Sequence, residues 1–226
     1  EMSAFVFPYG ILYLILNGIL IGVIVSAPMG PVGVLCVQRT LNKGRWYGFA
    51  TGIGAACSDM FYALITGFGM SFVNDFIYDE RNLFLLQLGG SAMLLAFGVY
   101  ALCQRPEENL RPKSNNKGTL WHNFWTGFMI TMSNPLIILL FIALFARFAF
   151  VPDEFFTTML GFSAIVGGAL LWWFLLTLGV DKLRTYFTVN GLTIMNRIIG
   201  TVVIGASIYG FATTMLGIKS LSIIPH

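Results

Sequence analysis

The sequence predicts an all-α integral membrane protein with six transmembrane helices, arranged as two inverted three-helix repeats whose first and fourth helices are broken. Composition is the first reason: of 226 residues, 57% are hydrophobic and only 10% are charged. A soluble domain carries about 25% charged residues, so this chain has too few charges to cover a water-facing surface. The other two reasons are six long apolar runs and the prolines inside two of them.

Six apolar runs are each long enough to cross a bilayer, which takes about 20 mostly apolar residues. They are 11–37, 46–72, 83–103, 120–146, 155–180 and 198–217. The segment 104–119 is the longest connection and is polar; we interpret it as a cytoplasmic linker between a first three-helix half, 1–103, and a second, 120–226. Together the halves form one membrane domain. The first run lacks the basic start and the cleavage site of a secretion signal, so we expect it to be a span.

Lys and Arg residues are distributed unequally between alternate loops. The loops after the first, third and fifth runs hold ten of the 13, and Arg81, Arg147 and Lys219 lie on the other side. Because cytoplasmic loops are rich in Lys and Arg, these three loops are predicted to face the cytoplasm, with both termini outside. The expected location is the cytoplasmic (inner) membrane of the cell. The ten residues are Arg39, Lys43, Arg45, Arg105, Arg111, Lys113, Lys117, Lys182, Arg184 and Arg197.

Glycines in the two halves recur at a common spacing. Gly69 corresponds to Gly179, and Gly90 corresponds to Gly200. If the halves are related, three helices in each force the halves into opposite orientations. Such an inverted repeat is typical of secondary transporters.

The stretch SAPMGPVG, residues 26–33, interrupts the first apolar run. Pro28 and Pro31 flank Met29 and Gly30, and proline removes a backbone donor and clashes with the preceding turn. The fourth run has a corresponding interruption, Ser133-Asn134-Pro135. Interrupted helices at matching positions of two halves indicate a transport site, because half-helix ends offer backbone N–H and C=O groups to a polar solute. The alternative is an ordinary proline kink in each helix.

Asp59 lies in the middle of the second apolar run, which otherwise has no charge after Arg45. An acid within a span is costly and indicates function. Small residues precede it and Tyr62 follows it by one turn, which leaves room for a cavity beside the carboxylate. Asp59 could bind a cationic group, carry a proton, or do both in alternation. The alternative is a structural acid that accepts hydrogen bonds from the broken helix.

Other residue patterns exclude several classes of protein. Cys36, Cys57 and Cys103 form no CxxC motif, and His122 and His226 are far apart, so no metal-site spacing exists. The net charge of +3 is small, and the basic residues of the chain lie in short loops and not on one surface, so no nucleic-acid partner is expected. Trp172 and Trp173 are interpreted as packing or interfacial residues in preference to a gate or a cavity wall.

The chain resembles the LysE/RhtB family of amino-acid exporters over nearly its whole length. The resemblance is carried by SAPMGP, by RTLNKGRWYGFATGIGAACSD and by SNPLIILLF. It implies a six-helix inner-membrane exporter of amino acids or similar small solutes that is generally coupled to the proton gradient. The family's functional positions would be Pro28, Gly30, Pro31, Asp59, Asn134 and Pro135. The chain departs from the family's Pro-Gly-Pro pattern, since Met29 is inserted after Pro28.

The leading hypothesis is therefore secondary export of an amino acid or related metabolite by proton antiport. Export of an inorganic or metal cation is the alternative, although only Asp59, with Cys57 nearby, could supply ligands. A disulfide-relaying redox enzyme needs cysteines in both halves, and residues 104–226 contain none. A membrane hydrolase needs a nucleophile-base-acid set or a metal cluster, and the sequence has neither. A non-transporting partner subunit stays open. We expect no enzyme activity, cofactor or bound metal, and expect membrane lipid and an amino-acid substrate as partners, with a homodimer left open. The predicted substrate-binding residues are Ser26, Pro28, Met29, Gly30, Pro31, Asp59, Tyr62, Ser133, Asn134 and Pro135, with Asp59 also carrying the proton.

Overall fold

The fold is all α-helical throughout the part of the chain that the computed structural model describes, which is residues 3–71, 79–103, 118–148, 155–183 and 188–216. The predicted fold class is thus confirmed at the level of helices. Most of the predicted linker, 104–117, lies outside the described residues. The helices are α1 Ser3–Ser26, α2 Pro31–Lys43, α3 Arg45–Ser71, α4 Glu80–Cys103, α5 Leu120–Met132, α6 Pro135–Phe148, α7 Phe155–Lys182 and α8 Val189–Met215.

Four of these helices, α3, α4, α7 and α8, are long and apolar enough to cross a membrane by themselves. The pairs α1–α2 and α5–α6 pass the same test together, with bends of 81° and 69° between their members. The described chain thus has four candidate spans, or six if each bent pair is one span. Helix α8 begins at Val189, nine residues before the predicted run 198–217. The apolar run begins late because the polar residues Asn190, Asn196 and Arg197 lower the hydropathy of the first turns.

The bends lie at the interruptions seen in the sequence. Helix α1 ends at Ser26, before Pro28, and Pro31 is the first residue of α2. In the second half, α5 ends at Met132 and Pro135 is the first residue of α6. Proline is favoured at a first helical position because its missing N–H has no intrahelical acceptor there and its φ angle is already helical. Each proline therefore starts a new helix that points in a new direction.

Glycines bring the long helices close together in pairs. Helices α1 and α7 run parallel, with Gly18 against Gly161 and Gly22 against the backbone of Ile165. Helices α3 and α5 are likewise parallel, and Gly54 faces the Phe124 carbonyl there. Such small residues let backbones approach where lipid provides no hydrophobic drive for association.

Helix directions define two ends of the bundle. Helices α4 and α8 pack antiparallel, since Gly98 contacts Gly200 while Ser207 Oγ, farther along α8, donates to the earlier Ser91 carbonyl of α4 at 2.6 Å. Helices α3 and α7 are also antiparallel, with Gly52 against Trp173 and Gly67 against Phe162. The end where α2, α4 and α7 finish and α3, α5 and α8 begin is called the basic end, because it carries Arg39, Lys43, Arg45, Lys182 and Arg197.

Two apolar clusters fill the bundle. The aromatic cluster is built around Tyr62, Phe141, Phe145 and Phe162 and lies toward the end opposite the basic end. The basic-end cluster is built around Met29, Val37, Trp173, Leu176 and Val180. Met29, in the break between α1 and α2, belongs to the basic-end cluster, whereas Met132 and Ile137, beside the break between α5 and α6, pack against the aromatic cluster.

Because α1 and α7 pack closely, the neighbouring residues Gly167 and Gly168 differ in the space available for a side chain. A Cβ at Gly168 would meet the backbone carbonyl of Ile19, whereas a Cβ at Gly167 would meet nothing within 4 Å. Overpacking costs about 1–3 kcal/mol, so Gly168→Ala should lower the melting temperature in detergent by roughly 5 °C or more. The matched variant Gly167→Ala should leave it unchanged. Equal melting temperatures would show that α1 and α7 do not approach this closely.

Candidate functional site

A cavity of about 70 Å³ lies where the interruptions of the two halves come together. A single water needs about 10–15 Å³ of such space, so the cavity has room for several waters or for one small solute. Six of the predicted site residues line it: Ser26, Pro28, Gly30, Pro31, Asp59 and Asn134. The other lining residues are Val25, Val32, Ala55, Phe97, Tyr100, Ile130, Thr131, Leu136, Ile137, Leu140 and Trp173.

Asp59 provides the charge in this cavity. Its side chain is only 4% exposed, and Ser26 Oγ donates a hydrogen bond to its Oδ2 at 3.3 Å. Its other oxygen, Oδ1, has no hydrogen-bond partner among the described residues. The residues lining the cavity include no Lys or Arg. Because an ionised carboxylate buried without a partner is costly, Asp59 favours a proton or a cationic group of a solute beside it.

The first turn of α2 provides the opposite polarity. Gly30 is the N-cap of α2, no side chain caps the helix, and Pro31 and Val32 line the cavity. The first N–H groups of a helix have no intrahelical acceptor and carry its positive partial charge. The start of α6 differs, since Asn134 Oδ1 accepts a hydrogen bond from the Leu136 N–H at 3.2 Å. The α2 terminus is therefore the one better suited to bind a carboxylate.

Four predicted site residues lie beside the cavity without lining it. Met29 is fully buried, and its N–H donates to Asn196 Oδ1 at 2.8 Å. Tyr62 Oη donates to the Met132 carbonyl at the end of α5, at 2.6 Å. Ser133 is exposed and its hydroxyl donates to the Met129 carbonyl at 2.8 Å. Pro135 is the exposed first residue of α6. These residues shape the interruptions around the cavity.

Sequence reasoning missed Thr131 and Asn196, and it placed a cavity-wall role for Trp173 below packing. Trp173 is 1% exposed, packs in the basic-end cluster and also lines the cavity. Thr131 precedes Asn134 by one helical turn, which would have been the signal for its place in the lining. Asn196 is an uncharged polar residue within the apolar helix α8, and Asn in such a helix needs a hydrogen-bond partner. That partner is the break in the first half.

Arg39 was also missed, since the sequence suggested only a topological role for it. Its side chain is buried at the basic end, where Nη1 donates to Thr51 Oγ1 at 2.8 Å and to the Asn123 carbonyl at 3.0 Å. One guanidinium thus joins α2 to α3 and to α5. This contact fixes the direction that α2 takes after the break.

The lining of the cavity belongs to both ends of the bundle. Ala55 and Trp173 are part of the basic-end cluster, whereas Val25 and Leu140 are part of the aromatic cluster. Asp59 lies near the midpoint of α3. The cavity is therefore central in the bundle.

Metal ligands do not cluster within the described residues, where no group of three or more His, Cys, Asp or Glu side chains could hold an ion. Cys36, Cys57 and Cys103 are free and differ in burial. The alternative of cation export would therefore have to depend on Asp59 with uncharged oxygen ligands.

Comparison with known proteins shows the family of the chain. The sequence profile of LysE type translocators matches residues 23–216. The chain belongs to the LysE type translocator family. This confirms the family expected from the motifs, and together with the apolar helices it makes the chain a multi-pass membrane protein built for transport.

Two curated proteins are similar to this chain in sequence. A Bacillus subtilis (strain 168) protein named "Putative amino acid efflux protein YcgF" is 27% identical over 209 residues, which are 91% of this chain and 97% of the relative. The Escherichia coli (strain K12) "Uncharacterized membrane protein YahN" is 26% identical over 137 residues, 60% of each chain. No solved structure matches the chain significantly.

The hydrogen bond from the Met29 N–H to Asn196 predicts a structural role for that asparagine. Asn196→Ala would leave a buried N–H without an acceptor, which costs about 1–3 kcal/mol. The melting temperature in detergent should fall by several degrees. Asn190→Ala, at an exposed position of the same helix, should leave it unchanged. If both variants melt like the original protein, Asn196 does not hold the break.

Proposed function

We propose that this translocator exports an amino acid across the cytoplasmic membrane in exchange for protons. The observation that carries the proposal is the Asp59 carboxylate, which is buried in a small cavity with one oxygen unpartnered among the described residues, near the uncapped start of α2. The relative named as an efflux protein supports export of an amino acid.

An amino-acid zwitterion complements the two polarities of this cavity. Its ammonium would bind Asp59, with the Ser26 hydroxyl beside it. Its carboxylate would bind the first free N–H groups of α2, those of Val32 and Gly33, which the break at Pro28, Gly30 and Pro31 leaves without intrahelical acceptors. Asn134 and Pro135 would form the second interruption facing the first. Met29, Tyr62 and Ser133 would keep the two interruptions in place through their backbone and hydroxyl hydrogen bonds.

Proton coupling follows if proton and ammonium compete for Asp59. With the substrate bound, the carboxylate is ionised and paired with the ammonium. After the substrate has left, the buried carboxylate has no cation nearby, so a proton from outside binds it. Return of the protonated form and release of the proton into the cytoplasm complete one exchange. Export and proton entry are thereby linked at one side chain.

An inverted repeat of residues 1–103 and 120–226 would provide alternating access. The packing supports it: α1 packs parallel to α7 and α5 packs parallel to α3, while α4 and α8 pack against each other. Exchange of the two halves maps the first pair onto the second and the third pair onto itself. In this arrangement α1–α2 and α5–α6 are broken spans that meet at the cavity, as in other transporters with repeats.

The distribution of basic residues gives the orientation. With the basic end in the cytoplasm, as the positive-inside rule requires, the termini are outside. An exporter must load its substrate from the basic end.

Replacement of Asp59 tests the proposal most simply. Asp59→Asn keeps the shape of the side chain but removes its charge, so it can neither pair with an ammonium nor exchange a proton. In proteoliposomes with an imposed pH gradient, we expect efflux of the transported amino acid to fall by at least about tenfold, the factor that 1.4 kcal/mol represents.

Asp79→Asn is the matched control. Asp79 is exposed, and its Oδ1 accepts a hydrogen bond from the Arg81 N–H at 2.8 Å, which an Asn oxygen can also accept. This variant should transport like the original protein. Transport by Asp59→Asn at the original rate, with an unchanged dependence on pH, would contradict proton coupling at Asp59.

A further inference from the structure

We infer that the cavity selects neutral amino acids with small apolar side chains, and that Trp173 and Thr131 bind the substrate's carboxylate. This inference rests on the proposed function and names the substrate class for the same site. It comes from three features of the cavity: its unpartnered polar atoms, its charges and its apolar wall.

Three residues that line the cavity carry a buried polar atom without a hydrogen-bond partner in the described structure. They are Asp59 with Oδ1, Thr131 with Oγ1 and Trp173 with Nε1. The carboxylate oxygen accepts, the indole N–H donates, and the hydroxyl does either. A buried polar atom without a hydrogen-bond partner is costly. A solute with one ammonium and one carboxylate provides a partner for all three.

The Trp173 N–H and the Thr131 hydroxyl are side-chain donors, and they would act in addition to the backbone N–H groups at the start of α2. Trp173 belongs to α7 and its ring packs on Gly52 of α3, so its position is set by a close contact. Thr131 lies in the last turn of α5 and is 2% exposed. A carboxylate held between α2, α5 and α7 would contact elements of both halves. The carboxylate would therefore be fixed at one place while the rest of the solute faces the remaining wall.

Charge limits which side chain the solute can carry. Asp59 is the single Asp, Glu, Lys, Arg or His among the lining residues. In the bound zwitterion Asp59 already pairs with the ammonium. A second ammonium or guanidinium would have no acid nearby, and a second carboxylate would have no base. Because an unpaired buried charge is costly, basic and acidic amino acids are disfavoured.

The wall and the volume limit the size and polarity of that side chain. The lining of α4 and α6 is apolar or aromatic, with Phe97, Leu136, Ile137 and Leu140. The cavity of about 70 Å³ has room for several waters or one small solute. This suits amino acids with small side chains. Larger aromatic amino acids would have to displace the wall.

Counterflow in proteoliposomes tests the substrate class without a pH gradient. Purified protein is reconstituted, vesicles are loaded with one unlabelled amino acid, and accumulation of the same amino acid in labelled form is measured. Internal alanine or valine should drive accumulation at least about tenfold better than lysine, arginine, glutamate or tryptophan. If lysine or arginine drives accumulation as well as alanine, the inference is wrong while the proposed function stands. If no amino acid supports counterflow, the proposed function fails together with it.

Paired variants test the assigned residues. Trp173→Phe removes the N–H and keeps an aromatic ring, and Thr131→Val removes the hydroxyl at nearly constant volume. Each should raise the KM for alanine at least about tenfold with little change in kcat. The matched controls are Trp172→Phe, which neighbours Trp173 outside the lining, and Thr126→Val, whose hydroxyl donates to the His122 carbonyl. Thr131→Val also answers the question if Trp173→Phe does not fold. An unchanged KM in a folded variant would overturn the carboxylate assignment.

Widening the cavity tests the apolar wall. Ile137→Ala removes three carbons from the wall, so leucine and phenylalanine should become counterflow substrates while alanine stays one. Ile142→Ala, on an exposed part of the same helix, should leave the preference as it was. An unchanged preference in a folded, transporting Ile137→Ala protein would overturn the assignment of this wall to the substrate side chain.

Discussion

Backbone groups within a membrane need hydrogen-bond partners, and this constraint organises the centre of the molecule. The chain interrupts its helices at Pro28 and Pro31 and again before Pro135, which leaves helix ends where lipid offers no partner. Part of the requirement is met by side chains from distant helices. Asn196 accepts from the Met29 N–H, and Tyr62 donates to the Met132 carbonyl. The uncapped first turn of α2 borders the cavity, where a polar solute can pair with its N–H groups.

Close helix packing makes such a costly centre sustainable. Glycines on α1, α3, α4, α7 and α8 bring these backbones together, so the interruptions are held between tightly packed pairs. Each pair joins one half of the chain to the other. Movement of one pair against the others would therefore change access to Asp59 without unfolding any helix.

Much of the fold could be predicted from the sequence because membrane solvation leaves a strong signal. Long apolar runs, prolines within two of them and an acid in a third gave the helices, the interruptions and Asp59. The start of α8 was missed, because Asn190, Asn196 and Arg197 make its first turns look like a loop. Asn196 is tolerated in this membrane helix because it pairs with the Met29 N–H, which only the tertiary structure brings to it.

The candidate site was predictable on the interrupted helices and less so on their neighbours. Ser26, Pro28, Gly30, Pro31, Asp59 and Asn134 line the cavity as the motifs indicated. Trp173 and Thr131 carry no motif, and a tryptophan in an apolar helix usually packs or anchors at the interface. Their place at the cavity depends on how α5 and α7 cross α3, which periodicity alone does not determine. The same is true of Arg39, whose partners come from two other helices.

The most direct test of the central claim, that substrate and proton alternate at Asp59, is the pH change that substrate movement causes. Proteoliposomes containing a pH-sensitive dye would be loaded with alanine at equal internal and external pH, then diluted into alanine-free buffer with the membrane potential clamped. We predict that alanine efflux acidifies the vesicle interior and that Asp59→Asn abolishes this acidification. Alanine efflux with no change in internal pH, or with alkalinisation, would contradict antiport.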